Sequence, residues 1–279
     1  MRKKIRALDQ TKTNLVQADY IENILQYKST QHYIEEQRLQ DAIEKVFGMQ
    51  RSKQGIGTLS EKSIHSILKY FIEPNDNYHE VALEGHFADI YTQDGVVEIQ
   101  TQKFERLTDK LAYFLEIYPV TIVYPILVRK EISIFDDISQ TVIQRKNSPK
   151  HMSVYDTFAE LYRIKPFLKH PNLHICMVQM DAEEYRMMSV RKNTARGKSM
   201  KYDRIPIGIR EITVLERIED YMQFIPYELD TFTTKTFAKA CHIPIDTARI
   251  TVNILYEFGL IERIGKQGNM YIYGIADAK

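Results

Sequence analysis

Two carboxylates and an amide, Asp89, Glu98 and Gln100, stand within the stretch Gly85-His86-Phe87-Ala88-Asp89-Ile90-Tyr91-Thr92-Gln93-Asp94-Gly95-Val96-Val97-Glu98-Ile99-Gln100. Asp94-Gly95 between alternating apolar segments is a hairpin signal, because both central residues of the favoured two-residue turn need positive φ. Counting back from that turn pairs Gln93 with Val96, Tyr91 with Glu98 and Asp89 with Gln100. Side chains alternate along a strand, and cross-strand partners share a face. Ala88, Ile90, Val97 and Ile99 are therefore expected on one apolar face, with Phe87, Asp89, Tyr91, Glu98 and Gln100 on the other. That places Asp89 and Glu98 diagonally, about 7–8 Å apart. Two readings fit: a wetted hairpin surface, or an oxygen site for a hard cation such as Mg²⁺, which keeps several waters. Two diagonal acids repel unless a cation or a proton lies between them.

The elements around the hairpin are legible from periodicity. Thr58-Leu59-Ser60-Glu61 is a capping box, followed by the helical stripe Ile64, Ile67, Leu68 and Phe71 and stopped by Pro74. His79–Leu83 precedes the hairpin as a strand, and Phe104, Leu107, Leu111, Phe114 and Leu115 predict a helix after it. Val120–Val128 reads as a buried strand, Ile132–Phe135 as a short further strand, Val154–Leu168 as a helix and Leu173–Met180 as a strand. This alternation predicts an α/β fold, a mixed central sheet flanked by helices.

The meander and its flanking helices, over Leu59–Leu115, resemble the PD-(D/E)xK nuclease superfamily. That family carries an Asp on its second strand and Glu-x-Lys on its third; Asp89 and Glu98 match, and Gln100 stands where Lys is usual, as in a Glu-x-Gln variant. The resemblance implies a restriction-endonuclease-like core and a Mg²⁺ (or Mn²⁺) dependent endonuclease that hydrolyses DNA phosphodiester bonds, in restriction or defence. Asp89 and Glu98 would hold the metal, with the Ile99 carbonyl completing the set. Gln100 would hydrogen-bond the attacking water but cannot carry charge. Lys103 is a candidate to supply that charge, though at a helix start it reads first as a surface residue. Glu61 is a candidate metal ligand from the first helix, and equally a capping-box residue. His65 is read either as packing or as facing the cleft, packing first. A competing expectation is a catalytically inactive nuclease-like regulator that binds DNA or protein, and RNA stays open as a substrate. A homodimer is expected, since duplex cleavage breaks two strands.

The rest of the chain is read around that core. With 279 residues and a net charge of +1, the protein has no overall field toward nucleic acid, so any such contact must be local. Cys176 and Cys241 are far apart and lack a metal spacing, and no apolar run follows the basic N-terminus. The expectation is a soluble cytoplasmic protein without a membrane partner. Residues 1–50 form an N-terminal helical segment, with Ile21, Ile24, Leu25, Ile34, Leu39, Ile43 and Val46 at roughly helical spacing, and 51–190 the nuclease-like domain. Residues 191–207 are a basic linker: Arg191, Lys192, Arg196, Lys198, Lys201 and Arg204 face one acid, Asp203, and are candidates to lie on phosphates beside the site. Residues 208–279 resemble a winged helix-turn-helix domain: helices Val214–Phe224, Thr234–Ala240 and Ile245–Phe258, then two strands around Gly265-Lys266-Gln267-Gly268-Asn269. Its eight Lys or Arg against ten Asp or Glu leave it at −2, and only Thr247, Arg249 and Asn253 are offered for base contact, so DNA and protein are both open as its partner.

Overall fold

The computed structural model describes residues 34–48, 63–136, 139, 141–189 and 198–276. Glu61 with its capping box, Arg191, Lys192, Arg196 and most of the N-terminal segment lie outside them. The first described element is a helix over 34–48 (α1), which buries Leu39, Ala42 and Val46 on one face. It shares a core with α2 (Ser63–Ile72), through Ile64, Ile67, Leu68 and Phe71. Arg38 of α1 donates from Nη2 to the Phe71 and Ile72 carbonyls at 2.8 and 3.0 Å, satisfying acceptors that the end of α2 leaves open.

β1 (His79–Leu83), β2 (His86–Thr92) and β3 (Gly95–Ile99) form an antiparallel meander. α3 (Thr108–Phe114) then leads to β4 (Val120–Asp136), which runs parallel to β3. β5 (Val142–Asn147) folds back on the distal half of β4. α4 (Thr157–Leu161) leads to β6 (Leu173–Ser189), parallel to β4, and β7 (Lys198–Leu215) returns antiparallel to β6. The sheet order is β1-β2-β3-β4-β6-β7, with β5 beside β4. The fold is α/β, with a large mixed sheet flanked by helices. β4 is a near-continuous apolar run because both its faces are covered. Ile122, Tyr124 and Ile126 enter the core shared with α3 and α4, and Val123 and Leu127 the core shared with α1 and α2.

Three strands run longer than their hydrophobic pattern. Val120–Val128 and Ile132–Phe135 are one strand, and Leu173–Met180 continues to Ser189. The basic linker expected over 191–207 is corrected where it is described, since residues 198–207 belong to β7. Part of the charge of this stretch is paired across the sheet, as Arg204 is with Glu184 on β6, at 2.7 Å. Beyond about residue 128 the four strands β5, β4, β6 and β7 form an arm of the sheet.

The C-terminal region holds a 3-10 turn (Ile218–Phe224), β8 (Thr231–Thr233), α5 (Thr234–Ala240), α6 (Ile245–Phe258), β9 (Ile261–Gln267) and β10 (Met270–Ile275), with strand order β8-β10-β9. The helix expected over Val214–Phe224 is instead the end of β7 followed by that turn. Thr233 caps α5, its Oγ1 accepting the Thr236 N–H at 3.2 Å, and Gly259 ends α6 at φ 77°. This region shares one hydrophobic cluster with the main sheet. The Phe158 and Phe224 rings lie 5.1 Å apart, and the Tyr155 hydroxyl donates to the Phe224 carbonyl at 3.0 Å. Among the described residues no helix is long and apolar enough to cross a membrane.

The hairpin register departs from the sequence count. Thr92 pairs with Gly95, Tyr91 with Val96 and Ile90 with Val97, so the loop is Gln93-Asp94 and Gly95 opens β3. Gly95 has φ 123°, and a Cβ there would lie 2.3 Å from the Pro119 carbonyl oxygen, which itself accepts the Val96 N–H at 2.9 Å. The glycine is thus fixed by the close approach of the chain entering β4. Gly95→Ala is expected to destabilise the fold by at least about 2 kcal/mol, from backbone strain plus displacement of Pro119; a urea midpoint unchanged from wild type would refute this account.

Candidate functional site

The corrected register brings the two acids closer in the ladder than the diagonal relation expected. Asp89 and Glu98 are the next residues beyond the last paired positions, Ile90 and Val97, and Gln100 lies outside the ladder. The backbone ladder between β2 and β3 stops at Ile90–Val97, and side chains take over. Asp89 Oδ2 accepts the Ile99 N–H at 2.7 Å, and the Glu98 carboxylate accepts the Asp89 N–H. The faces divide less simply than expected: Ile90, Val97 and Ile99 belong to the α2 side, while Ala88 joins the α3 side with Val96. Both acids stand at the carboxyl end of β3, beside its parallel neighbour β4, the end of a parallel pair where ligand crevices form.

Each acid meets a basic side chain from a different helix. His65 of α2 places Nε2 3.1 Å from Asp89 Oδ2. Of the two sequence readings for His65, packing or facing the cleft, the structure shows the second: it is a polar partner of the site. Lys110 of α3 donates from Nζ to both Glu98 oxygens, at 2.9 and 2.8 Å. Lys110 is the residue that motif reading misses. Its signal is present in the sequence: Leu107, Lys110, Leu111 and Phe114 follow an i, i+3, i+4, i+7 pattern, so a lysine sits in the core-facing stripe of a helix.

Electrostatics split the two acids. Glu98 is only 2% exposed. Burial, then the charge of Asp89, pushes its carboxyl from 4.5 to about 7, and Lys110 and the Asp89 N–H offset only part of that. Asp89 is pushed up by burial too, but the His65 hydrogen bond and charge, the Ile99 N–H and Lys110 hold it below the usual carboxylate range. A buried pair with one acid ionised and one near neutrality is the pattern in which acid and base roles separate.

The remaining expected residues fall elsewhere. Gln100 turns its amide to the following loop, Nε2 donating to the Gln102 and Lys103 carbonyls at 2.6 and 3.1 Å. Water positioning by that amide nitrogen is therefore corrected to a loop-shaping role. Lys103 is exposed with φ 62° at the start of a 3-10 turn (Phe104–Leu107), and its backbone rather than its ammonium meets Gln100. The Ile99 side chain is core, 2% exposed. Lys201 and Arg204 of β7 line a cleft of about 120 Å³ with Thr101, Gln102, Pro125 and Met152, immediately beyond Gln100. Arg249 pairs with Asp246 on the exposed side of α6, and Asn253 Oδ1 accepts from Lys165 Nζ at 3.3 Å. Among the described residues no group of three or more His, Cys, Asp or Glu side chains could hold a metal.

A family profile described as Domain of unknown function (DUF8091) matches residues 62–216, which hold the whole acidic site and the arm. An uncharacterized protein of Treponema pallidum (strain Nichols) is 29% identical over 167 residues, 60% of this chain and 64% of that relative, so the match spans less than two thirds of its length. No solved structure gives a significant match.

The Glu98 shift has a sign that can be measured. Its folded value lies above its unfolded one, so the folded protein binds extra proton between about 4.5 and 7, and the stability this brings is lost as pH rises through about 7. The depressed Asp89 value acts the other way, its contribution present above 3.8 and lost only on acidification. Thermal melts from pH 5 to 8 should therefore show a fall attributable to Glu98, on the order of 3 kcal/mol, that Glu98→Gln removes; parallel profiles for the two proteins would contradict it.

Proposed function

The chain belongs to the family described as Domain of unknown function (DUF8091), and from the acidic pair we propose that this member is a Mg²⁺-dependent (or Mn²⁺-dependent) nuclease hydrolysing DNA phosphodiester bonds. The observation that carries this reading is the meeting of Asp89, Glu98 and Lys110 where the β2–β3 ladder ends. The sheet then corresponds to a restriction-endonuclease-like core in its Glu-x-Gln form.

The donor set fits a hard divalent cation. Asp89 Oδ2 is engaged by His65 and the Ile99 N–H, while Oδ1 is left for a ligand. The Glu98 carboxylate is buried beside a like charge that a cation would compensate. With no group of three or more such ligands gathered among the described residues, backbone oxygen and water would complete the shell, as Mg²⁺ tolerates. Bound there, the metal would lower the pKa of a water and polarise a phosphate oxygen. His65 fixes the Asp89 carboxylate in orientation. Lys110 holds a positive charge beside Glu98, where the strand lysine of PD-(D/E)xK nucleases would act, and can stabilise charge developing on the phosphate oxygens. Gln100 leaves that task to Lys110 and keeps the loop after β3 in shape.

We read the C-terminal region as a winged helix, from its order of turn, β8, α5, α6 and the β9–β10 hairpin. Its α6 presents little cation for a major groove: Arg249 is paired to Asp246, and Asn253 is engaged by Lys165. The exposed stack of Arg263 between Tyr256 and Tyr271, at 4.4 and 4.0 Å from the ring centroids, suits a protein contact better than base readout. A second reading, an inactive nuclease-like regulator, is favoured by one observation: Lys110 occupies both Glu98 oxygens as a closed ion pair.

Incubation with supercoiled plasmid and Mg²⁺ or Mn²⁺ decides between them. The nuclease reading expects nicked or linear product, lost with Asp89→Ala and Glu98→Ala, reduced on the order of a hundredfold by Lys110→Met, and retained by Gln100→Lys. DNA bound but uncut by wild type under every metal tested would establish the regulator instead.

A further inference from the structure

The arm of the sheet carries a buried carboxylate surrounded by cations that no step of the reaction uses. Glu184 of β6 is 1% exposed. Its Oε1 accepts from Arg186 Nε at 2.7 Å and Nη2 at 2.6 Å, and its Oε2 accepts from Arg204 Nε at 2.7 Å. Lys130 Nζ on β4 lies 3.3 Å from Oε2. Burial pushes this carboxyl up, but the hydrogen bonds and charges of Arg204, Arg186 and Lys130 hold it at about 2, so it stays ionised across any working pH.

The cross-strand register extends the cluster over four strands. Ile132 pairs with Glu184 on one side and with Lys146 of β5 on the other, and Glu184 pairs with Arg204 of β7. Lys146, Lys130, Arg186 and Arg204 therefore share the face of Glu184, and these five residues together carry a charge of +3. Glu184 engages Arg204 through Nε and Arg186 through Nε and Nη2. It thus orients both planar groups from beneath and leaves their outer edges, about a third of each side chain, toward solvent. A guanidinium held this way loses little freedom on meeting an anion, and its fork matches phosphate oxygens. From β5 to β7 the cations span three strand spacings, about 14 Å, the axial length of about four phosphates on one strand of a duplex. Arg204 also lines the cleft with Thr101 and Gln102, the residues that follow Gln100.

We infer that this face is a phosphate track that seats the backbone of a DNA duplex and leads it to the acidic site. The inference rests on the nuclease reading for its purpose, but the contact it describes is separate from cleavage. The test is binding of a fluorescent duplex in EDTA, where metal-dependent cleavage is silent, over a series of KCl concentrations. The double variant Arg186→Ala/Arg204→Ala should bind on the order of tenfold or more weakly near 0.15 M salt, with the log–log salt slope shallower by about 1.8. Because that variant bares Glu184 and could unfold the arm, Lys146→Ala serves beside it: Lys146 is exposed and outside the buried network, and its loss should lower the slope by about 0.9. Lys239→Ala, on α5, should leave the slope as it is. Wild type that ignores the duplex, or a Lys146→Ala protein with the wild-type slope, overturns the track. Intact salt-dependent binding with no cleavage after metal is added keeps the track and overturns only the nuclease.

Discussion

The structure around the site depends on how β2 and β3 part. At Ile90–Val97 the backbone ladder ends, and two strands that separate inside a protein leave N–H groups that must find other acceptors. Here the acceptors are acidic side chains: Asp89 takes the Ile99 N–H and Glu98 takes the Asp89 N–H. The exchange satisfies the backbone, and in doing so it forces two carboxylates together in a half-dry pocket. The repulsion this creates is a cost that a plain continuation of the sheet would avoid. His65 and Lys110 offset it from opposite faces, one from α2 and one from α3. The two helices are thereby tied to the same point, and the strand they share is β3, whose Val96 and Ile99 enter different cores.

Much of this was legible in the sequence, and the exceptions have physical causes. The elements β1, α5, α6 and β10 coincide with the ranges periodicity predicts, because each has an apolar stripe ended by a turn or cap residue. Alternation marks Asp89 and Glu98 in the sequence, yet it places Asp94-Gly95 at the turn and so shifts their register by one residue. Gly95 is glycine for the sake of Pro119, a contact made across a crossover that local sequence cannot display. Lys110 escapes motif spacing for a related reason: the motif looks two residues beyond Glu98, whereas a helix returning over the sheet delivers its cation from twelve residues away.

The arm was the least legible part. A strand read by hydrophobic alternation ends where apolar residues thin out, as they do at Arg129-Lys130-Glu131 and after Met180. β4, β6 and β7 continue because Glu184 supplies, from one position, partners for cations on all three strands. A charge network can thus hold a sheet's register where a hydrophobic face would ordinarily do so. Residues 198–204 read as part of a basic linker in the sequence, since composition reports charge and not strand pairing.

The charge pattern also explains why a net charge of +1 carries so little information about this protein. Positive charge is gathered on one face of the arm, negative charge is gathered at the end of β3, and the C-terminal region is acidic by two. Averaged over the chain these cancel; along the sheet they form a gradient from cation to carboxylate over a few strands. An anion seated on the arm is held off the acidic pair by like charge unless a further cation stands between them. Lys110 alone cannot fill that place while it is closed on Glu98. On the proposed reading, a divalent ion between Asp89 and Glu98 would release Lys110 and reverse the sign at the end of the track in one event, which would make phosphate entry and metal entry interdependent by electrostatics alone.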